Sequence, residues 1–110
     1  MTPRLTAALW VSALIRRVNQ EGGTAMILTK GDATAGSILL ICMEKGVVRS
    51  VRERLLDRGG SYAWTVVGPS ELTDLSDYLD RRRARDPDMW LVELDIAESE
   101  RFAEEMVQRD

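Results

Sequence analysis

Several arginines lie close together between residues 78 and 85, in a stretch where a helix is expected. On a period of 3.6 residues, Tyr78, Arg81, Arg82 and Arg85 share one helical face. A guanidinium group binds phosphate through two parallel hydrogen bonds, and a neighbouring tyrosine ring can stack on a base. The spacing therefore predicts a candidate binding surface for a nucleic acid or a phosphorylated ligand.

The same arginines also have a structural interpretation. Cations in the last turn of a helix stabilise it by complementing the helix dipole. The spacing predicts the ion pairs Asp77–Arg81 and Asp80–Arg83, which would neutralise the cluster and contribute ~0.3–0.5 kcal/mol each. Because the net charge is −3 and the pI is near 5.0, we favour the neutralised helix end and keep nucleic-acid binding as an alternative.

Carboxylates follow the arginines, at Asp86, Asp88, Glu93 and Asp95. Oxygen ligands of this kind hold hard cations such as Mg²⁺, so a divalent-metal hydrolase or nuclease is a second alternative. In the nuclease arrangement a lysine follows the glutamate by two residues, and here that position is Asp95. The metal candidates are Asp88, Glu93 and Asp95, and the competing interpretation places Glu93 and Asp95 at solvent-facing positions of a half-buried strand or in salt bridges with the arginines.

The residue inventory argues against nucleophilic catalysis. The chain contains no histidine, which removes the commonest general base. Its one cysteine, Cys42, lies in the most apolar segment, where a thiol behaves as a small hydrophobic group with a raised pKa. We therefore predict no cofactor and favour a non-catalytic protein. One cysteine and no apolar stretch of membrane-spanning length together predict a cytoplasmic protein that does not associate with a membrane.

Three tryptophans are candidates for the core or for a binding surface. Trp10 and Trp90 are in phase with apolar neighbours and are predicted to lie in the core. Trp64 shares a strand face with Tyr62 and Val66. It is either a core residue or an aromatic anchor for a partner.

The elements that position these side chains are predicted to form one α+β domain over residues 1–110. Thr6 and Ser70 are expected to cap helices, and Pro87 to end one, because proline cannot continue an α-helix. A mostly antiparallel sheet of four to five strands is combined with two main helices and a short C-terminal helix. Predicted helices span residues 8–20, 71–85 and 99–108, and predicted strands span residues 24–29, 37–43, 47–56, 62–67 and 89–96.

The expected connectivity is a four-stranded antiparallel meander joined by the fifth strand. A glycine-bounded turn at residues 30–36 predicts a hairpin between the first two strands, and the apolar run at 38–42 predicts an interior strand. Charges on both faces of strand 47–56 predict an edge strand or a frayed one. All helices are expected on one side of a two-layer domain. Met89 and Leu91 would then lie on an open apolar face that favours a homodimer or another partner.

The chain as a whole resembles a known bacterial family, domain of unknown function (DUF) 1491. The resemblance lies in an ordered set of short motifs: Leu5, Trp10, Gly31-Asp32, Ala35-Gly36, Trp64, the segment Asp86-Pro87-Asp88-Met89-Trp90, and Glu93. The family has no assigned activity, cofactor or partner, so the resemblance implies no catalytic or binding residue. It implies a bacterial, cytoplasmic protein.

These observations favour a non-catalytic binding or interaction module. Its partner would be an unidentified protein or a second copy of the chain. The residues proposed for binding are Tyr78, Arg81, Arg82, Arg85 and Trp64.

Overall fold

The computed structural model describes residues 6–56, 59, 62–69 and 71–107. They form a single α+β domain with a five-stranded, mostly antiparallel sheet, as predicted. In chain order the elements are α1 (Ala7–Gln20), β1 (Thr24–Thr29), β2 (Ile38–Glu44), β3 (Val47–Leu56), β4 (Tyr62–Val67), a 3₁₀ turn (Leu72–Asp74), α2 (Leu75–Arg85), β5 (Trp90–Asp95) and α3 (Ser99–Val107). None of the helices in the described part is long and apolar enough to cross a membrane.

Local signals in the sequence decide where the helices begin and end. Thr6 caps α1, because its Oγ1 accepts a hydrogen bond from the Leu9 backbone N–H at 3.3 Å. Gly22, which follows α1, has a φ of 90°, a conformation that suits glycine. The chain leaves α2 at Arg85 and enters β5 at Trp90, so the predicted reversal at Pro87 is confirmed. The predicted cap at Ser70 lies outside the described residues.

The order of the strands is β1-β5-β2-β3-β4, and the predicted β1–β2 hairpin is wrong. β5 lies between these two strands, antiparallel to β1 and parallel to β2, which makes the sheet mixed. The segment that joins β1 to β2 packs against the start of β5. A Cβ atom at Gly31 or Gly36 would collide with the Asp88 carbonyl oxygen, so both glycines are needed for this close approach.

β3 lies inside the sheet, between β2 and β4, and its predicted edge position is also wrong. Its charged residues Arg52, Glu53 and Arg54 are buried. Arg52 and Glu53 form ion pairs with α3 and α2, and the Arg54 guanidinium lies 5.0 Å from the centre of the Trp10 ring. Long charged side chains with such partners can occupy an interior strand.

Two apolar clusters cover the two faces of the sheet. On one face, α1 and α3 pack on Leu40, Val92 and their neighbours; on the other, α2 packs on Leu39, Leu91 and Met89. The expectation that all helices lie on one side is therefore wrong. Met89 and Leu91 are buried beneath α2, so the reason for placing a dimer interface on that face no longer holds.

The predictions for the core of the sheet are confirmed. Ile38 to Cys42 are buried within an interior strand, and Trp10 and Trp90 are 1% and 4% exposed. Alternate residues of β5 belong to opposite clusters, as the period of two requires.

Candidate functional site

The segment between β1 and β2 is a structural junction built around Asp32. Its Oδ2 accepts hydrogen bonds from the backbone N–H groups of Thr34 at 3.1 Å and Ala35 at 2.8 Å. The Asp32 N–H donates to the Asp88 carbonyl, and the Trp90 indole N–H donates to the Asp32 carbonyl, both at 2.8 Å. The carboxylate of Asp32 therefore holds this turn, and its backbone attaches the turn to Asp88 and to Trp90 at the start of β5.

The same segment also caps α1. The carbonyl oxygens of Thr34 and Ala33 accept hydrogen bonds from the Ala7 and Ala8 N–H groups at 3.1 and 2.9 Å. The first N–H groups of a helix have no partner within the helix, so these bonds satisfy two of them. Several residues that carry the family resemblance thus meet at one junction, where their role is architectural.

Two of the predicted binding residues, Tyr78 and Arg82, are engaged inside the domain. The Arg82 guanidinium donates to Glu53 Oε1 at 2.7 Å and to the Tyr78 hydroxyl at 3.0 Å. Burial opposes the charged form of Arg82, but the hydrogen bonds to Glu53 and Tyr78 raise its pKa above the usual value. Arg82 therefore fastens α2 to β3.

Arg81 and Arg85, in contrast, are exposed on the outer side of α2. Neither predicted pair, Asp77–Arg81 or Asp80–Arg83, forms an ion pair within 4.0 Å in the described part of the chain. A hollow of about 410 Å³ is lined, among the described residues, by Arg81, Ala84 and Arg85. The predicted four-residue surface is thus divided into an inner pair, Tyr78 and Arg82, and an outer pair, Arg81 and Arg85.

The predicted carboxylate group is not assembled into a metal site. Asp95 accepts hydrogen bonds from the Lys45 and Gly46 N–H groups, both at 2.8 Å, and thereby holds the β2–β3 turn. Asp86 Oδ1 accepts from the Asp88 N–H at 3.2 Å in a local turn. In the residues described, no three acidic or cysteine side chains lie close enough to hold a metal ion.

An ion network that the sequence analysis missed attaches α3 to β3. Arg52 donates to Glu100 and Glu104, each at 2.8 Å, and the Ser50 hydroxyl donates to Glu100 at 3.0 Å. These hydrogen bonds lower the pKa of Glu100. Glu100 and Glu104 are one helical turn apart, and this spacing was the available signal.

Cys42 is buried beside Ser50 and Arg52 of this network. Burial raises the pKa of its thiol to about 12. The thiolate is the reactive form of cysteine, so the thiol stays unreactive near neutral pH.

Trp64 remains the one predicted binding residue on a strand, and it is half-buried. Its ring packs on Trp10, with ring centres 5.4 Å apart and an angle of 47° between the planes. Its indole nitrogen is shielded from solvent and makes no hydrogen bond. Trp64 is therefore a rigid aromatic group held at the margin of the core.

Trp64 belongs to β4, which is the last strand of the sheet. β4 pairs with β3 in a regular register from Val67 to Tyr62, and no described strand pairs with its other side. The strand carries no charged residue and no proline, the features that commonly protect sheet edges. Val66 is 61% exposed. The charges of β3 predict an edge at that strand, so the sequence pattern gives no signal for an edge at β4.

The other edge strand, β1, differs in one respect. Met26 and Leu28 are exposed there, but the register with β5 shifts between Ile27 and Thr29. A β-bulge of this kind bends a strand and hinders pairing with another chain. β4 is therefore the more regular of the two open edges.

Comparisons with known proteins agree on a family and give no activity. The crystal structure of a DUF1491 family protein from Caulobacter crescentus CB15 is similar to this chain, with a TM-score of 0.74 and 32% identity over 84% of this chain and 89% of that one. An NMR structure of a DUF1491 family protein from the same organism gives a TM-score of 0.73 and 32% identity, covering 84% and 86% of the two chains.

A third similar structure, the solution structure of a protein from A. tumefaciens, has a TM-score of 0.70 and 26% identity over 86% of this chain and 87% of that one. No curated protein matches the chain. The family model described as "Protein of unknown function (DUF1491)" matches residues 5–104. The chain belongs to the DUF1491 family, as the sequence resemblance predicted.

Proposed function

We propose that this protein is a non-catalytic interaction module that binds a partner polypeptide along the open edge of β4. The observation that carries the proposal is an uncharged edge strand of regular register that presents exposed Val66 beside the rigid ring of Trp64. An extended partner can add to such an edge through backbone hydrogen bonds, while side-chain pockets supply specificity.

The placement of the other candidate residues supports a binding role over catalysis. Arg82, Asp95 and Asp32 have reactive side chains, and each already makes hydrogen bonds that hold the fold together. Rigid aromatic groups contribute most of the binding energy at protein interfaces, and Trp64 is such a group. We retain the cytoplasmic location and bacterial origin in this proposal, and the relatives from Caulobacter crescentus and A. tumefaciens support the latter.

Site-specific photocrosslinking in the native cell tests the proposal. A photoreactive amino acid is placed at Val66 in one strain and at Val47 in another. Val47 is a matched control, because it is 55% exposed and lies beyond the part of β3 that pairs with β4. We expect covalent protein adducts from position 66 and none from position 47. Equal adducts, or none, at both positions would contradict the proposal.

A second candidate function is the binding of a phosphate-bearing ligand or nucleic acid by Arg81 and Arg85. Two exposed guanidinium groups one helical turn apart, beside a hollow of about 410 Å³, favour it. Electrophoretic mobility shift with short DNA and RNA at low salt tests it directly. The double variant Arg81→Ala/Arg85→Ala should lose retardation that the control Arg16→Ala/Arg49→Ala retains, since both doubles remove two exposed positive charges.

A further inference from the structure

We propose that the strand that adds to β4 is the β4 of a second copy, paired antiparallel about a two-fold axis at Thr65. This inference rests on the proposed function, because it names the occupant of the same edge. The two sheets would join into one continuous sheet of ten strands. A symmetric dimer requires a surface that matches itself, and β4 meets this condition.

The register follows from the alternation of side chains. In an antiparallel pair, residues directly opposite each other point to the same face. A two-fold axis that relates the two strands must therefore pass midway between the two copies of one residue. With Thr65 on the axis, Trp64 faces Val66 of the partner subunit, and Ala63 faces the partner's Val67. Residues 63–67 then all find a partner.

Each of these opposite pairs is of a favourable kind. Cross-strand pairs of an aromatic with a β-branched residue stabilise a sheet, and so do paired threonines that share a hydrogen bond. Trp64 and Val66 form the first kind of pair twice, once on each side of the axis. Thr65, exposed and opposite its own copy, forms the second.

Burial and charge in the single chain fit the same arrangement. Val66 leaves 61% of its surface exposed, and the half-buried ring of Trp64 lies two residues away on the same face of the strand. No charge lies on β4 to oppose a second copy of the same strand. The uncharged, β-branched and aromatic composition of β4 therefore suits pairing with a second copy of the same strand.

Two measurements on the purified full chain test the dimer. In sedimentation equilibrium, the apparent mass of the wild type should rise with concentration from 12.4 kDa towards twice that value. Val66→Lys should remain monomeric, because a lysine on an edge strand opposes pairing with another strand, and the dimer would bring two of them close to its axis. Val47→Lys, an equally exposed position away from β4, should dimerise like the wild type. Far-UV circular dichroism checks that each variant is folded.

Disulfide crosslinking tests the register. Thr65→Cys should form an intermolecular disulfide on mild oxidation, since the two positions face each other across the axis. Ala63→Cys, exposed on the same face, should not crosslink to itself, because Ala63 faces the partner's Val67. The native Cys42 is buried and does not interfere.

A wild type that stays monomeric at every concentration would overturn this inference, and so would a dimer that Val66→Lys leaves intact. Equal crosslinking of Thr65→Cys and Ala63→Cys would overturn the register. If the wild type is monomeric and position 66 photocrosslinks to a different protein, the dimer inference is wrong and the proposed interaction function is still supported.

Discussion

The ion pair between Arg82 and Glu53 allows a direct test of how α2 is held on the sheet. Arg82→Met keeps the length and apolar character of the side chain but removes its guanidinium. Breaking a buried pair costs about 3–5 kcal/mol, because one charge is left without a partner. The side chains here are 18% and 11% exposed. Residual contact with water lowers the expected loss of unfolding free energy to about 2–3 kcal/mol.

Urea unfolding measures this loss through the midpoint at an unchanged m-value. For 110 residues the entropy of unfolding is about 230 cal/mol/K, so the loss corresponds to a fall in Tm of roughly 9–13 °C. Arg81→Met is the matched control: it is the adjacent arginine on the same helix, exposed, and should change stability by less than about 0.5 kcal/mol.

A double variant separates the ion pair from general packing. Arg82→Met combined with Glu53→Leu removes both charges, and it should recover at least half of the stability lost in the single variant, because neither charge of the pair is left without its partner. If Arg82→Met were no more destabilising than Arg81→Met, the structural role assigned to Arg82 would be wrong.

Three other outcomes are expected. Gly36→Ala should destabilise the fold by about 1–3 kcal/mol in urea unfolding, because its Cβ meets the Asp88 carbonyl; wild-type stability would contradict the junction. The pKa of Glu100 is lowered by Arg52, so its contribution to stability is present above the unfolded-state pKa and is lost as pH falls through the folded-state value. Between neutral pH and about pH 3, Glu100→Gln should therefore lose less stability than the wild type does. Cys42 should resist a thiol reagent at mildly alkaline pH in the native protein and react once urea unfolds it, because burial raises its pKa to about 12; equal rates would refute that burial.

Local structure was predictable because its causes lie within a few residues. The strand bounds at residues 24–29, 47–56 and 62–67 match the structure, since each strand is flanked by turn-forming residues. Pro87 likewise located the end of α2. These signals do not depend on which elements later become neighbours.

The pairing of strands was not predictable from such signals. A short glycine-bounded segment favours a hairpin. Only the tertiary structure shows that this segment instead passes the start of β5, where the Trp90 indole N–H donates to the Asp32 carbonyl. The charges of β3 predict exposure, because charged side chains usually lie in solvent. Arg52 and Glu53 form ion pairs with side chains of α3 and α2, which are distant in the sequence. The pattern of residues along one strand does not indicate such partners.

The candidate binding residues show the same difference between local structure, which the sequence predicts, and tertiary contacts, which it does not. The sequence correctly predicts that the arginines lie on a helix. Whether Arg82 faces Glu53 or solvent depends on which face of that helix packs against the sheet. The sequence pattern allows Trp64 either a core position or an interface position. The structure shows its ring packed on Trp10 within the outermost strand, at the margin of the core, and a role in binding stays a prediction.

The central position of β5 has a consequence for synthesis on the ribosome. β5 is the last strand to be translated, yet it separates β1 from β2 and pairs with both. A nascent chain that has emerged only through α2 has no neighbour in place for β1 within the sheet. Closure of the sheet must therefore wait until β5 has left the exit tunnel, and until then β1 has no strand paired on either side.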